Sequence, residues 1–212
     1  MTAQRRSPNG LLAGAAVAAM VLAMVIRLPE APATVAQQRA RLPPAAECES
    51  DVAGKWRGLV YSENTRSWYD YTMEVRHVEG SEELLTGVIY VDTWWGPPQE
   101  SEPGACTGRG RYKGKMMGRG HYRGGQVMFG GGEFQQTEVV CGEGVIGYNP
   151  DQFTGRLEKE RQEFQSVNND GGAAVNEPTV FRRVACFDDE PRHNPADVAP
   201  PPFFPERREG GC

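Results

Sequence analysis

The chain has 212 residues and a net charge of −5, a mild acidity that argues against a dedicated nucleic-acid binder, which carries a basic footprint. Three histidines are too few and too scattered for a histidine-rich metal centre, and five cysteines are spaced for bridges rather than for zinc. Nothing in the composition asks for a cofactor.

Arg5 and Arg6 precede the apolar run Leu11–Ile26, which stops at Arg27. A membrane-spanning helix needs about 20 apolar residues, and this run falls short of that. A basic head, a short apolar stretch and small residues after it make residues 1–33 a signal peptide or a retained signal anchor. Ala31-Pro32-Ala33 and Thr34-Val35-Ala36 are the candidate cleavage sites. Residues 34–47 hold Pro43 and Pro44 among alanines and glutamines, which is linker composition. The protein is therefore expected outside the cytosol, in the periplasm or at the cell surface, where cysteines oxidise.

Cys48 opens the next segment and Cys186 closes it, so a bridge between them would tie the first element to the last. Cys106 and Cys141 then pair inside it and Cys212 is left over. Other pairings of five cysteines remain open. Cys141, in Val139-Val140-Cys141-Gly142-Glu143-Gly144, is the one cysteine in a glycine-rich setting, but a staple explains it better than a nucleophile.

Residues 48–186 read as β throughout. Tyr69, Tyr71, Met73 and Val75 alternate with Trp68, Asp70, Thr72, Glu74 and Arg76, the period of a strand. Leu85–Trp95 is rich in Val, Ile, Thr, Tyr and Trp, which suit a pleated surface. From Thr107 to Met116 basic residues alternate with glycines and Tyr112. Further strands are expected at Arg119–Phe129, Gln135–Cys141, Gly144–Tyr148, Phe153–Phe164 and Thr179–Cys186. Turn chemistry lies at Ser62-Glu63-Asn64, Glu79-Gly80-Ser81, Gly96-Pro97-Pro98, Gly130-Gly131-Gly132, Asn149-Pro150-Asp151 and Asn168–Gly172. Residues 187–212 are proline-rich, with few core candidates, and are expected to be disordered. Eight or so short strands joined by tight turns imply an all-β domain, an up-and-down barrel or, as the alternative, a β-sandwich.

Gly54-Lys55-Trp56, opening the first strand, resembles the G-x-W signature of lipocalins and of the wider calycin group, which includes the avidin-like barrels. Thr86-Gly87, Thr107-Gly108 and Thr154-Gly155 are similar to the strand starts of avidin-like barrels. The resemblance implies that Trp56 closes the base of a barrel and that an arginine from the last strand packs over its ring. Arg182 or Arg183 stands at that place, and Arg182 is taken as the partner. The later strands depart from the lipocalin pattern, with no T-D-Y-type motif and no clear helix after the barrel.

An eight-stranded barrel is filled by side chains or holds one small ligand. Gly108, Gly110, Gly114, Gly120 and Gly124 are expected to face inward and leave room, with Tyr69, Tyr71, Trp95, Tyr112 and Tyr122 as a lining. Trp94 and Trp95 together precede Gly96-Pro97-Pro98, which places two indoles at a loop mouth. These six aromatics are the candidate ligand-binding residues for a small apolar or amphipathic molecule. The stretch Arg109–Arg123, including Arg111, Lys113 and Lys115, offers a second possibility: a basic outer face meeting envelope polysaccharide or lipid.

No H-E-x-x-H, G-x-S-x-G or P-loop pattern is present, and no catalytic residue is assigned. Asp70, Glu74, Asp92 and Glu133 are the carboxylates on which a small hydrolase would rest. The sequence reading is thus an exported, non-catalytic binding barrel. The alternatives are an envelope interaction domain and, third, a carboxylate-based hydrolase.

Overall fold

Eight antiparallel strands follow one another around a closed barrel, each pairing with its neighbour in the chain and the last returning to the first. The computed structural model describes residues 35–106, 110–144 and 147–187. The expected export segment, most of the proline-rich tail, Arg109 and Cys212 lie outside the described residues. The strands are β1 (Gly54–Ser62), β2 (Ser67–His77), β3 (Leu84–Trp95), β4 (Arg111–Arg123), β5 (Gln126–Cys141), β6 (Gln152–Glu158), β7 (Glu163–Asn169) and β8 (Val175–Ala185). The up-and-down barrel is the architecture adopted, and the sandwich alternative falls away.

Period-2 alternation decides what goes inside. Trp56, Val60, Tyr71, Met73, Val75, Ile89, Val91, Met116, Phe129, Phe153, Phe164 and Phe181 form one buried cluster. Their registers stack them in layers: Trp56 opposite Met73, Met73 opposite Ile89, Ile89 opposite Met116. Of the glycines expected to face inward, Gly108 lies outside the described residues, Gly124 sits in the turn between β4 and β5 rather than inside, and Gly110, Gly114 and Gly120 leave no void. A side chain at Gly114 would strike the Phe134 ring, and one at Gly118 the Phe129 ring. The glycines are the sockets into which neighbouring aromatics lie, and the middle of the barrel is filled.

The hairpin between β4 and β5 differs from expectation. Arg119–Phe129 does not form one strand; it breaks at Gly124-Gly125, where both residues have positive φ (58° and 78°). That pair is the two-residue hairpin geometry that matches strand twist. Conversely, Gly130-Gly131-Gly132 is no turn but part of β5, whose pairing with β4 shifts register between Met116 and Gly118. Phe153–Phe164 divides into β6 and the start of β7 around a 3-10 turn at Lys159–Arg161, closed by Gln162 in a left-handed conformation. Tyr148, expected in a strand, lies in the loop before β6.

Part of the expected linker at 34–47 folds onto the barrel. Helix α1 (Val35–Arg41) packs on β8 and β1. Arg39 and Arg182 both bind Glu163, each at 2.7 Å. Arg41 lies over the Trp68 ring, 4.7 Å from its centre. Both expected disulfides are present. Cys48–Cys186 joins the segments flanking β1 and β8, and Cys106–Cys141 joins the β3–β4 connection to the end of β5, with Cα separations of 5.5 and 5.6 Å.

The base of the barrel is shut by Trp56. Its Nε1 donates to the Val52 carbonyl at 3.0 Å, and a guanidinium lies 4.8 Å from the ring centre. The guanidinium belongs to Arg183, not to Arg182. Trp56 pairs with Arg183 across the β1–β8 seam, and alternation sends Arg182 to the outer face beside Glu163. Arg183 donates to the carbonyls of Ser50, Asp51 and Ala53, so its buried charge is solvated by backbone dipoles while it covers the indole.

Candidate functional site

The opposite end of the barrel is open. The strand ends there do not match in length: β5 runs on to Cys141, while its pairing with β6 stops at Gly130–Gln152. Among the described residues, the far half of β5 therefore has β4 on one side and no strand on the other. Residues 147–151 cross this gap. Tyr148 stacks on Phe134 at 4.2 Å, and the Asp151 carbonyl accepts from the Gly131 amide at 2.8 Å.

This crossing carries a carboxylate into the barrel. Asp151 is 2% exposed. Its Oδ1 accepts from the Tyr71 hydroxyl at 2.9 Å and from Asn168 Nδ2 at 2.5 Å, and its Oδ2 from the Tyr148 hydroxyl at 2.6 Å. Asn168 is fixed in turn, because its Oδ1 accepts from the Gln152 amide at 3.0 Å. Burial pushes the Asp151 carboxyl up to about 6; the three hydrogen bonds pull the other way without cancelling it. Burial also drives the Tyr71 and Tyr148 hydroxyls well above their ordinary value, with the Asp151 charge adding to the effect.

Above this floor lies a cup of about 230 Å³. Its walls include Tyr69, Trp95, Tyr112 and Tyr148, and its rim Ser62, Asp170 and Glu177. Tyr69 stacks over Tyr71 at 5.9 Å, and Trp95 meets Tyr112 at 5.8 Å. Burial raises the Tyr112 hydroxyl to about 12 and lifts that of Tyr69 further. Glu177 is half-buried, and burial together with the charges of Asp170 and Asp151 holds its carboxyl above the usual range.

Four of the six candidate aromatics, Tyr69, Tyr71, Trp95 and Tyr112, line this cup. Trp94 and Tyr122 do not. Adjacent residues of a strand face opposite ways, so Trp95 enters the barrel while Trp94 stacks on Trp68 outside it, 6.3 Å away. Its Nε1 donates to the Glu100 carbonyl. Tyr122 stands at the other end of the barrel, where its hydroxyl donates to Asp51 at 3.3 Å. Sequence reasoning missed Tyr148, Asp151, Asn168 and Glu177. Asp151 carried only a turn signal in Asn149-Pro150-Asp151, and nothing local marks it as buried.

The carboxylates considered for hydrolysis do not meet in the cup. Asp70 binds Arg57 at 2.6 Å and Asp92 binds Arg111 at 2.5 Å on the outer face; Glu74 pairs with Lys55 at 3.0 Å. Glu133 is exposed. The same pairings change the basic face: Arg111 is engaged by Asp92 and Lys113 by Glu138. Among the described residues no group of histidine, cysteine and carboxylate side chains is arranged to hold a metal ion.

Comparison of the chain with family models, with curated proteins and with solved structures finds no match.

Proposed function

We propose that this is an exported, envelope-located binding module that holds one small amphipathic ligand in the cup at the open end of a calycin-like barrel. The observation that carries the reading is the contrast along the barrel axis. The base and middle are packed with Trp56, Met73, Phe129 and Phe181, while the open end keeps about 230 Å³ between aromatic walls and a buried carboxylate. Apolar walls with a few fixed polar groups are the usual form of a small-molecule site. Two disulfides and the basic-then-apolar head before Arg27 support a location outside the cytosol. The calycin-like assignment is supported by the eight-stranded meander and by an arginine of β8 covering Trp56.

The alternative of a basic outer face gripping polysaccharide or lipid has weaker support, because Arg111 and Lys113 are each engaged by a carboxylate. Such neutralised pairs offer little net field to an anionic surface.

Native mass spectrometry of protein recovered from its own cell envelope tests the reading. A non-covalent mass that departs on denaturation, and is absent from a Tyr112→Trp variant with a filled cup, is the expected result. A clean apo mass from the wild-type protein, with no small molecule released into the denatured supernatant, counts against it.

A further inference from the structure

The cup is charged in one direction. Asp151 lies at its floor and Asp170 and Glu177 at its rim, and among the described residues that line it there is no lysine, arginine or histidine. Asp170 has a structural task, since its Oδ1 accepts from the amides of Gly172 and Ala174 and shapes the β7–β8 turn. Asp151 already receives three hydrogen bonds and contributes a fixed negative end at the floor. Glu177 differs from both: it stands at the rim, half-buried, opposite Asn168 in the β7–β8 register. Beside it is Ser62, buried, whose hydroxyl faces the Glu177 carboxylate as a donor and keeps its oxygen lone pairs for an incoming donor group. An acceptor oxygen and a carboxylate side by side, over a floor that is itself negative, form a receptor for a donor group that carries positive charge.

The walls favour the same partner. Tyr69, Tyr112, Tyr148 and Trp95 surround the space, and tyrosine and indole rings attract cations over their faces. An anion would meet three carboxylates with no cation to offset them, at a cost that grows as the cup excludes water.

We propose that the cup selects a small organic ammonium ion, with its nitrogen between Glu177 and the Ser62 hydroxyl and its carbon skeleton against the Tyr69, Tyr112 and Trp95 rings. This rests on the reading of the cup as a ligand site and adds the sign of the ligand's charge.

Isothermal titration calorimetry of the disulfide-bonded protein at neutral pH decides it with three probes of one shape: phenethylammonium, 2-phenylethanol and phenylacetate. The expected order is ammonium at least tenfold tighter than the alcohol, with no measurable binding of the carboxylate. Glu177→Gln should reduce the ammonium affinity about tenfold while leaving the alcohol within twofold, which also reports that the cup is intact. Equal binding of ammonium and alcohol, or binding of phenylacetate, overturns the charge preference and leaves the cup as a ligand site. Failure of all three probes also overturns this inference, and the native mass measurement then decides separately whether the cup holds anything else.

Discussion

The side-chain amide of Gln38 takes the place of a strand beside β8. Its Nε2 donates to the Pro178 carbonyl at 2.8 Å and its Oε1 accepts from the Val180 amide at 2.9 Å. The register between β1 and β8 covers Lys55–Gly58 against Phe181–Ala185, so the earlier part of β8 has no partner in β1. Helix α1 supplies one, held in place by the Arg39–Glu163 ion pair and, just past its end, by Arg182 donating to the Leu42 and Pro43 carbonyls.

Replacing Gln38 by Ala should therefore strip the buried Val180 amide and the part-buried Pro178 carbonyl of their partner at once. An orphaned buried group costs about 1–3 kcal/mol and the carbonyl of exposed Pro178 can turn to water, so a loss of roughly 1–3 kcal/mol is expected in urea unfolding. Amide exchange at Val180 should quicken more than exchange in β3. Unfolding that matches wild type would show that α1 is not part of the seam.

Asp151 sets an unusual pH dependence. Its carboxyl sits near 6 when folded against an ordinary 3.8, so the folded state holds its proton where the unfolded chain has released it. Stability should thus rise as pH falls from about 6 to about 4, by up to roughly 3 kcal/mol from this group. Glu163 acts oppositely. Burial works against its charge, but the hydrogen bonds from Arg182 and Arg39 outweigh burial and hold the carboxyl below its ordinary value, so its contribution is lost only at still lower pH. Thermal melts from pH 4 to 7 should slope toward acid stability in the wild type, and Asp151→Asn should flatten that slope.

Arg183 and Arg182 are neighbours with unlike jobs. A lysine at 183 cannot reach three carbonyls and cover an indole together. Arg183→Lys should cost about 2 kcal/mol or more. Arg182→Lys keeps a cation beside the buried Glu163 carboxylate but gives up the hydrogen bonds to the Leu42 and Pro43 carbonyls, and a smaller loss of about 1 to 2 kcal/mol is expected. Parallel chemical denaturation of the two variants gives the comparison; reversed ranking would place the closure on the wrong arginine.

The Cys48–Cys186 bridge closes a loop with a sequence separation of 138. A loop that long contributes about 3 to 5 kcal/mol in the chain-entropy account. Cys48→Ala with Cys186→Ala should accordingly lower the melting temperature further than loss of the Cys106–Cys141 pair, whose separation is 35, by the equivalent of about 1 kcal/mol. Calorimetry of the two double variants tests the order.

Much of the barrel was legible because alternation is a local property. Tyr69 to Val75 and Leu85 to Trp95 show their inward faces in the sequence itself, and Gly54-Lys55-Trp56 pointed to the closed base. What failed was information that depends on register. Arg119–Phe129 reads as one strand until Gly124-Gly125 is seen to have positive φ at both residues. The turn after β6 carries no glycine or proline, only Gln162 in a left-handed conformation. The choice between Arg182 and Arg183 turns on the β1–β8 pairing, which no local pattern encodes. Asp151 is the deepest case: it is buried because β5 outruns β6, and that mismatch belongs to the closed barrel rather than to any segment of it.

The four tryptophans occupy surroundings that separate optically. Trp56, Trp68 and Trp94 are buried, at 1%, 0% and 5% exposure, while Trp95 reaches 37% and lines the cup. Emission from the protein should thus contain a blue component set by the closed base and the outer Trp68–Trp94 stack, and a redder one from Trp95 alone. Occupancy of the cup would change the second and leave the first in place, whereas unfolding would shift both. One indole therefore serves as a built-in gauge of ligand, calibrated by three that register only the integrity of the fold.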